Sequence, residues 1–145
     1  MSSQRVTLFE DIFQITALNP EGKTFENTNR LAALGQSFSC ELLLDYHAQL
    51  LPVKENTRIS LLLASTLSPA GVPSTGEYDS SGQKSLADSY SYVIHGRVYL
   101  KEHRGDDKVE VQASFGGLLM RLVGGREYLE GVEAGEEIYG LIKEA

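Results

Sequence analysis

The pattern of apolar residues predicts an all-β protein, an eight-stranded antiparallel barrel, and three observations carry that prediction. Apolar side chains recur at every second position along most of the chain. An extended strand sends such a set to one face, whereas a helix would scatter it around its axis. Turn-forming clusters of Gly, Pro, Asn and Asp separate the alternating runs at regular intervals, and no long run of helical periodicity competes with them. Closing these strands on themselves removes the unpaired edges that an open sheet would expose.

In chain order, Leu8 to Leu18 alternates in its second half, with Phe13, Ile15 and Ala17 on one side and Gln14 and Thr16 on the other. Asn19-Pro20-Glu21-Gly22 then makes a turn, because proline presets one backbone angle and glycine supplies the unusual one. A second strand over Phe25 to Leu34 is expected despite its polar centre, Glu26 to Arg30. From Ser37 to Leu50 the alternation is the clearest in the chain: Phe38, Cys40, Leu42, Leu44, Tyr46, Ala48 and Leu50 fall on one face. A strand of this length must curve or bend, and Pro52 ends it. Arg58 to Thr66 is the next strand, with Ile59, Leu61 and Leu63 inward and Leu62 covered on the other side.

Ser68 to Ser89 breaks the pattern, since twelve of its residues are Ser, Thr, Gly or Pro. Such a segment buries too little apolar surface to offset its ordering entropy, so a flexible loop is expected at 68–89. Alternation resumes over Tyr90 to Lys101, with Tyr90, Tyr92, Ile94, Gly96, Val98 and Leu100 on one face and Ser91, His95, Arg97, Tyr99 and Lys101 opposite. Gly105-Asp106-Asp107 turns the chain back into Val109, Val111, Ala113 and Phe115. Gly116-Gly117 then leads into Leu118 to Val123, and reads as a bend or bulge in a continuous sheet that lets one strand serve two neighbours. A short turn or helix over Arg126 to Val132 and a last strand from Ile138 to Ile142 complete the set.

The 145 residues, 41% hydrophobic and 23% charged, suit one globular domain spanning 1–145. The net charge of −7 argues against a duplex-wrapping surface, which needs clustered Lys and Arg. Cys40 has no second cysteine to pair with, and no apolar run approaches the roughly 18 residues of a membrane span. With no secretion signal at the start, a reducing interior compartment is expected, cytosol or nucleus.

Chemistry is sparse. His47, His95 and His103 belong to no metal motif, and Asp106-Asp107 suits a turn better than a catalytic carboxylate pair. The glycine pairs at 116–117 and 124–125 match no phosphate-binding loop. No catalytic residue, cofactor, metal, membrane or small-molecule substrate is therefore expected. Tyr99 with Arg97 and Lys101 leaves one alternative, a free-standing barrel binding single-stranded nucleic acid by base stacking.

Three segments add a resemblance: LFEDIFQI (Leu8 to Ile15), SLADSYSYVIHGRVY (Ser85 to Tyr99) and SFGGLLMRLVG (Ser114 to Gly124). Together they resemble the small barrel subunit, the eighth in the usual numbering, shared by the eukaryotic nuclear RNA polymerases I, II and III. The likeness spans nearly the whole chain, though the loop before Ser85 and the tail after Arg126 show little of the pattern. It implies a barrel of two joined oligonucleotide-binding-like halves and a non-catalytic role in the nucleus. It also implies docking on the periphery of the largest polymerase subunit, among the other polymerase subunits. On this resemblance Ser85 to Tyr92 and Gly116 to Arg121 hold the fold and shape the docking surface. Asp88, Gly116, Gly117 and Arg121 are the candidate partner-binding residues, because polar groups and bare backbone inside apolar motifs call for a reason.

Overall fold

A computed structural model describes residues 7–19, 27–38, 40–67, 89–105 and 107–145. Eight strands form: β1 (Thr7–Leu18), β2 (Thr28–Gly35), β3 (Glu41–His47), β4 (Arg58–Ala64), β5 (Tyr92–His103), β6 (Lys108–Phe115), β7 (Leu118–Gly125) and β8 (Glu137–Glu144). They close into a barrel in the order β1-β2-β3-β7-β6-β5-β8-β4, with β4 returning to β1 and every neighbouring pair antiparallel. The expected barrel is therefore the one observed.

Alternation puts one face of each strand inside. Phe9, Phe13 and Ile15 of β1 meet Leu42, Leu44 and Tyr46 of β3, Ile59 and Leu61 of β4 and Val109 and Val111 of β6 in one continuous core. Asp11 shares the inward face of β1, and its carboxylate accepts the backbone N–H groups of Ser37 and Phe38 at 3.2 and 3.3 Å. A charge there serves backbone groups of the β2–β3 connection that would otherwise lack partners. Leu129 and Val132, fully buried, join the core from the turns between β7 and β8; the 126–132 segment is turn rather than helix.

Four expectations need correction. The long alternating run stops at His47, not Leu50: the N–H groups of Leu50 and Leu51 both bond to the His47 carbonyl. The turn leaves Leu50 62% exposed and buries Leu51 in its place. Tyr90 does not share the inward face with Tyr92; it packs outside the barrel against a second apolar cluster, around Leu62, Ala64 and Leu141. A bulge at Tyr99 reverses the phase of β5, so that Leu100 lies opposite Gln112 and Lys101 opposite the buried Val111. Cross-strand partners share a face, so Leu100 points out and Lys101 turns away from Tyr99.

The fourth correction concerns Gly116-Gly117. Phe115 pairs with Leu118 and Ser114 with Leu119, so the glycines are a two-residue hairpin turn, not a bulge in a continuous strand. Both have positive φ, +65° and +99°, as a type I′ turn requires. A Cβ at either position would meet nothing within 4 Å, so backbone angle alone selects glycine here. Gly117→Ala is accordingly expected to cost about 1–2 kcal/mol, and Gly116→Asn only a few tenths, because asparagine tolerates φ near +60°. Urea unfolding of the two variants checks this, and equal losses would refute the assigned turn. Of the other expectations, the 68–88 part of the loop, Pro20 to Gly22, Phe25, Glu26 and Asp106 lie outside the described residues.

Candidate docking surface

The outer face of β2, β3, β7, β6 and β5 carries a frame of ion pairs around an apolar pocket. The barrel register builds it. Ala32, Leu43, Arg121, Gln112 and Leu100 follow one another across neighbouring strands, because each is the cross-strand partner of the last. The adjacent outward positions hold Glu110 on β6, Asp45 on β3 and Arg30 on β2.

Glu110 is the centre of the frame. It is 1% exposed, although it stands on the outer face, because two arginines cover it. Arg121 Nη2 donates to its Oε1 at 3.0 Å, and Arg104 reaches the same oxygen through Nε at 2.8 Å and Nη2 at 2.7 Å. Gln112 Nε2 donates to the other carboxylate oxygen, and the Tyr99 hydroxyl donates to Gln112 Oε1 at 2.8 Å. The hydrogen bond from Arg121, followed by those from Gln112 and Arg104, overcomes the opposing effect of burial and lowers the Glu110 pKa to about 2. The same bond raises the pKa of Arg121.

Asp45 is the second anchor. Its carboxylate takes a two-pronged contact from Arg30, Nε to Oδ1 at 2.6 Å and Nη2 to Oδ2 at 3.2 Å, and also accepts the Leu119 N–H at 3.1 Å. It therefore ties β2 and β3 to the start of β7, two residues beyond the Gly116-Gly117 turn. Between the two anchors lies a pocket of about 140 Å³ lined by Arg30, Leu43, Tyr99, Gln112, Leu119, Met120 and Arg121. Paired guanidiniums and buried carboxylates hold Arg30, Arg121 and Gln112 in place around this pocket.

Of the candidate residues, Arg121 stands in this frame and Gly116-Gly117 in the turn beside it, while Asp88 lies outside the described residues. Glu110, Asp45, Arg104 and Gln112 were not foreseen. The signal for Glu110 lay in the hairpin: a two-residue turn at 116–117 sets Arg121 opposite Gln112 and one diagonal step from Glu110. The aromatic-basic trio is not brought together. Arg97 donates to the Gly135 carbonyl at 2.7 Å, and Lys101 binds Glu133 at 2.9 Å on the far side of the bulge. The histidines stay apart as well. His95 packs on the Tyr139 ring at 4.7 Å, His47 ends β3, and His103 ends β5.

Fold and surface together define the class: a small closed antiparallel β-barrel distinguished by a braced outer face. The chain belongs to the family described as RNA polymerase Rpb8, which it matches over residues 10–144. It is 39% identical to the probable DNA-directed RNA polymerases I, II, and III subunit RPABC3 of Caenorhabditis elegans, over 94% of this chain and 95% of that protein. It is 37% identical to the corresponding subunit of Dictyostelium discoideum, over 95% of this chain and 97% of that protein. With the RPABC3 subunit of Saccharomyces cerevisiae it shares 36% identity, over 94% of this chain and 97% of its relative.

Proposed function

We propose that this chain is a non-catalytic structural subunit of DNA-directed RNA polymerases I, II and III. In this reading it works in the nucleus, docks on the largest polymerase subunit and supports assembly with the others. Membership of the family over nearly the whole chain carries the proposal, since the relatives are named as subunits shared by those enzymes. The braced outer face supports it, because a preformed surface of arginines and apolar side chains is how a rigid module recognises a protein partner. Arg121, Gly116 and Gly117 are assigned to the docking side, and Asp88 joins them on the sequence alone.

Affinity purification of the tagged chain from nuclear extract tests the reading. The large polymerase subunits are expected to co-purify in stoichiometric amount, and their absence would remove the proposal. Arg121→Glu is expected to weaken that recovery while the isolated chain keeps its β-type circular dichroism. Full recovery would take Arg121 out of the docking surface.

A further inference from the structure

The outer-face frame has more to offer a partner than packing. Among the described residues Arg121 makes one hydrogen bond, through Nη2 to Glu110, although a guanidinium carries five N–H donors. Its side chain is 45% exposed, and that of Arg104, which converges on the same Glu110 oxygen, is 52% exposed. Two guanidiniums thus share one carboxylate that is itself almost wholly buried. Their remaining donors face solvent, held from beneath. Beside them, Leu119 is 41% exposed and Tyr99 50%, with Leu43 half-buried between.

We infer that this frame receives one carboxylate with an apolar side chain beside it, both on one short segment of the polymerase's largest subunit. The carboxylate seats on the free donors of Arg121 and Arg104, and the apolar side chain enters the pocket between Leu43, Leu119 and Tyr99. This rests on the docking role proposed above and specifies its chemistry. Charge complementarity selects the occupant. A planar fork anchored from below is geometrically matched to a carboxylate. A nucleic-acid strand suits it less: Glu41 and Glu102 are exposed in the row that runs through Glu110, and the chain carries −7 overall. Repeated phosphates would have to pass those carboxylates, whereas a single carboxylate need not. The pocket, at about 140 Å³, takes one side chain, well below the roughly 300–1,000 Å³ of small-molecule sites.

The test places a photoreactive benzoylphenylalanine at position 119 in the tagged full-length chain, irradiates cells and maps the cross-linked peptide by mass spectrometry. The expected product is a largest-subunit peptide in which Asp or Glu directly neighbours an aliphatic or aromatic residue. Arg104→Lys combined with Arg121→Lys keeps charge on Glu110 but removes the forks. That variant is expected to recover the large subunits about tenfold less well than the unsubstituted chain. A cross-link to nucleic acid, to another subunit or to a segment without a carboxylate overturns the inference, as does undiminished recovery of the double variant. Should that variant fail to fold, the cross-link map decides alone. If the unsubstituted chain brings down no polymerase, the docking role falls first and this inference with it. Co-purification with a cross-link of the wrong chemistry sinks only the inference.

Discussion

Gly96→Ala is expected to destabilise the barrel by about 3–4 kcal/mol, near the upper end for a single added methyl group. A Cβ at position 96 would lie 2.1 Å from the Ser114 carbonyl oxygen, 2.8 Å from the Ser114 carbonyl carbon and 2.7 Å from Phe115 Cδ1. The nearest obstacle is the backbone of β6, which has no rotamer to change. Relief requires β5 to move away from β6 where their pairing begins, at Arg97 and Ser114, while β5 is held on its other side by β8 at Gly96 and Arg97. Gly96 thus differs in kind from Gly116 and Gly117, where angle and not space excludes a side chain. Chemical denaturation measures the loss. Adding Phe115→Leu is expected to recover little of it, because the ring is only the second obstacle. A Gly96→Ala variant within about 0.5 kcal/mol of the parent would show that the close approach of the two strands is not a feature of the folded chain.

How much of this could be read from the sequence depended on whether a feature repeats every second residue. Alternation alone puts Phe13 and Ile15 on β1, Ile59, Leu61 and Leu63 on β4 and Val109, Val111, Ala113 and Phe115 on β6 on the face that the barrel buries. Even the burial of Leu62 on the outer side followed, from an apolar residue out of phase in an otherwise alternating run. The errors fall where the period is interrupted by one residue or mimicked by a turn. Ala48 and Leu50 continue the alternation of β3, yet their backbone has already turned, and periodicity contains no term for hydrogen bonding to His47. The bulge at Tyr99 leaves no mark in composition, and it alone moves Lys101 from one face to the other. Gly116-Gly117 marks an unusual backbone angle in the sequence but not its kind, because a bulge and a type I′ turn both call for glycine. The flanking runs distinguish them: equal alternating segments on either side of a glycine pair are the mark of a hairpin.

The ion-pair frame of the outer face is less legible for a related reason. Arg121 stands out as a charge inside an apolar motif, but Glu110 looks in sequence like any solvent-facing carboxylate of a half-buried strand. Pairing of β6 with its sequence neighbours β5 and β7 brings Arg104, from beyond the end of β5, and Arg121, from β7, over the same oxygen. Asp45 is the same case, joined to Arg30 across one strand boundary and to the Leu119 N–H across another. Composition and alternation hide both anchors, and strand register reveals them.

Glu110→Ala is the second large effect, expected to cost about 2–4 kcal/mol at neutral pH. Removing the carboxylate leaves Arg104 and Arg121 facing one another without a counter-charge and takes away the acceptor of Gln112. The arginines are about half exposed, so water screens part of this, and the cost stays below that of breaking a fully buried pair. The pH dependence gives an independent reading. The carboxyl ordinarily titrates near 4.5 and is held at about 2 in the barrel, so its folded pKa is depressed. Its stabilisation is then complete above the ordinary value and is lost as pH falls from 4.5 through 2, amounting to about 1–3 kcal/mol after screening. Urea unfolding of the parent and Glu110→Ala between about pH 6 and pH 2.5 should show the gap between them narrowing steadily on the acid side. Glu110→Gln, which can still bond to Gln112 but carries no charge, should fall between the two at neutral pH and share the flatter acid limb. Parallel curves for all three would mean that Glu110 is not ionised against its arginines, and the brace under Arg121 would lose its basis.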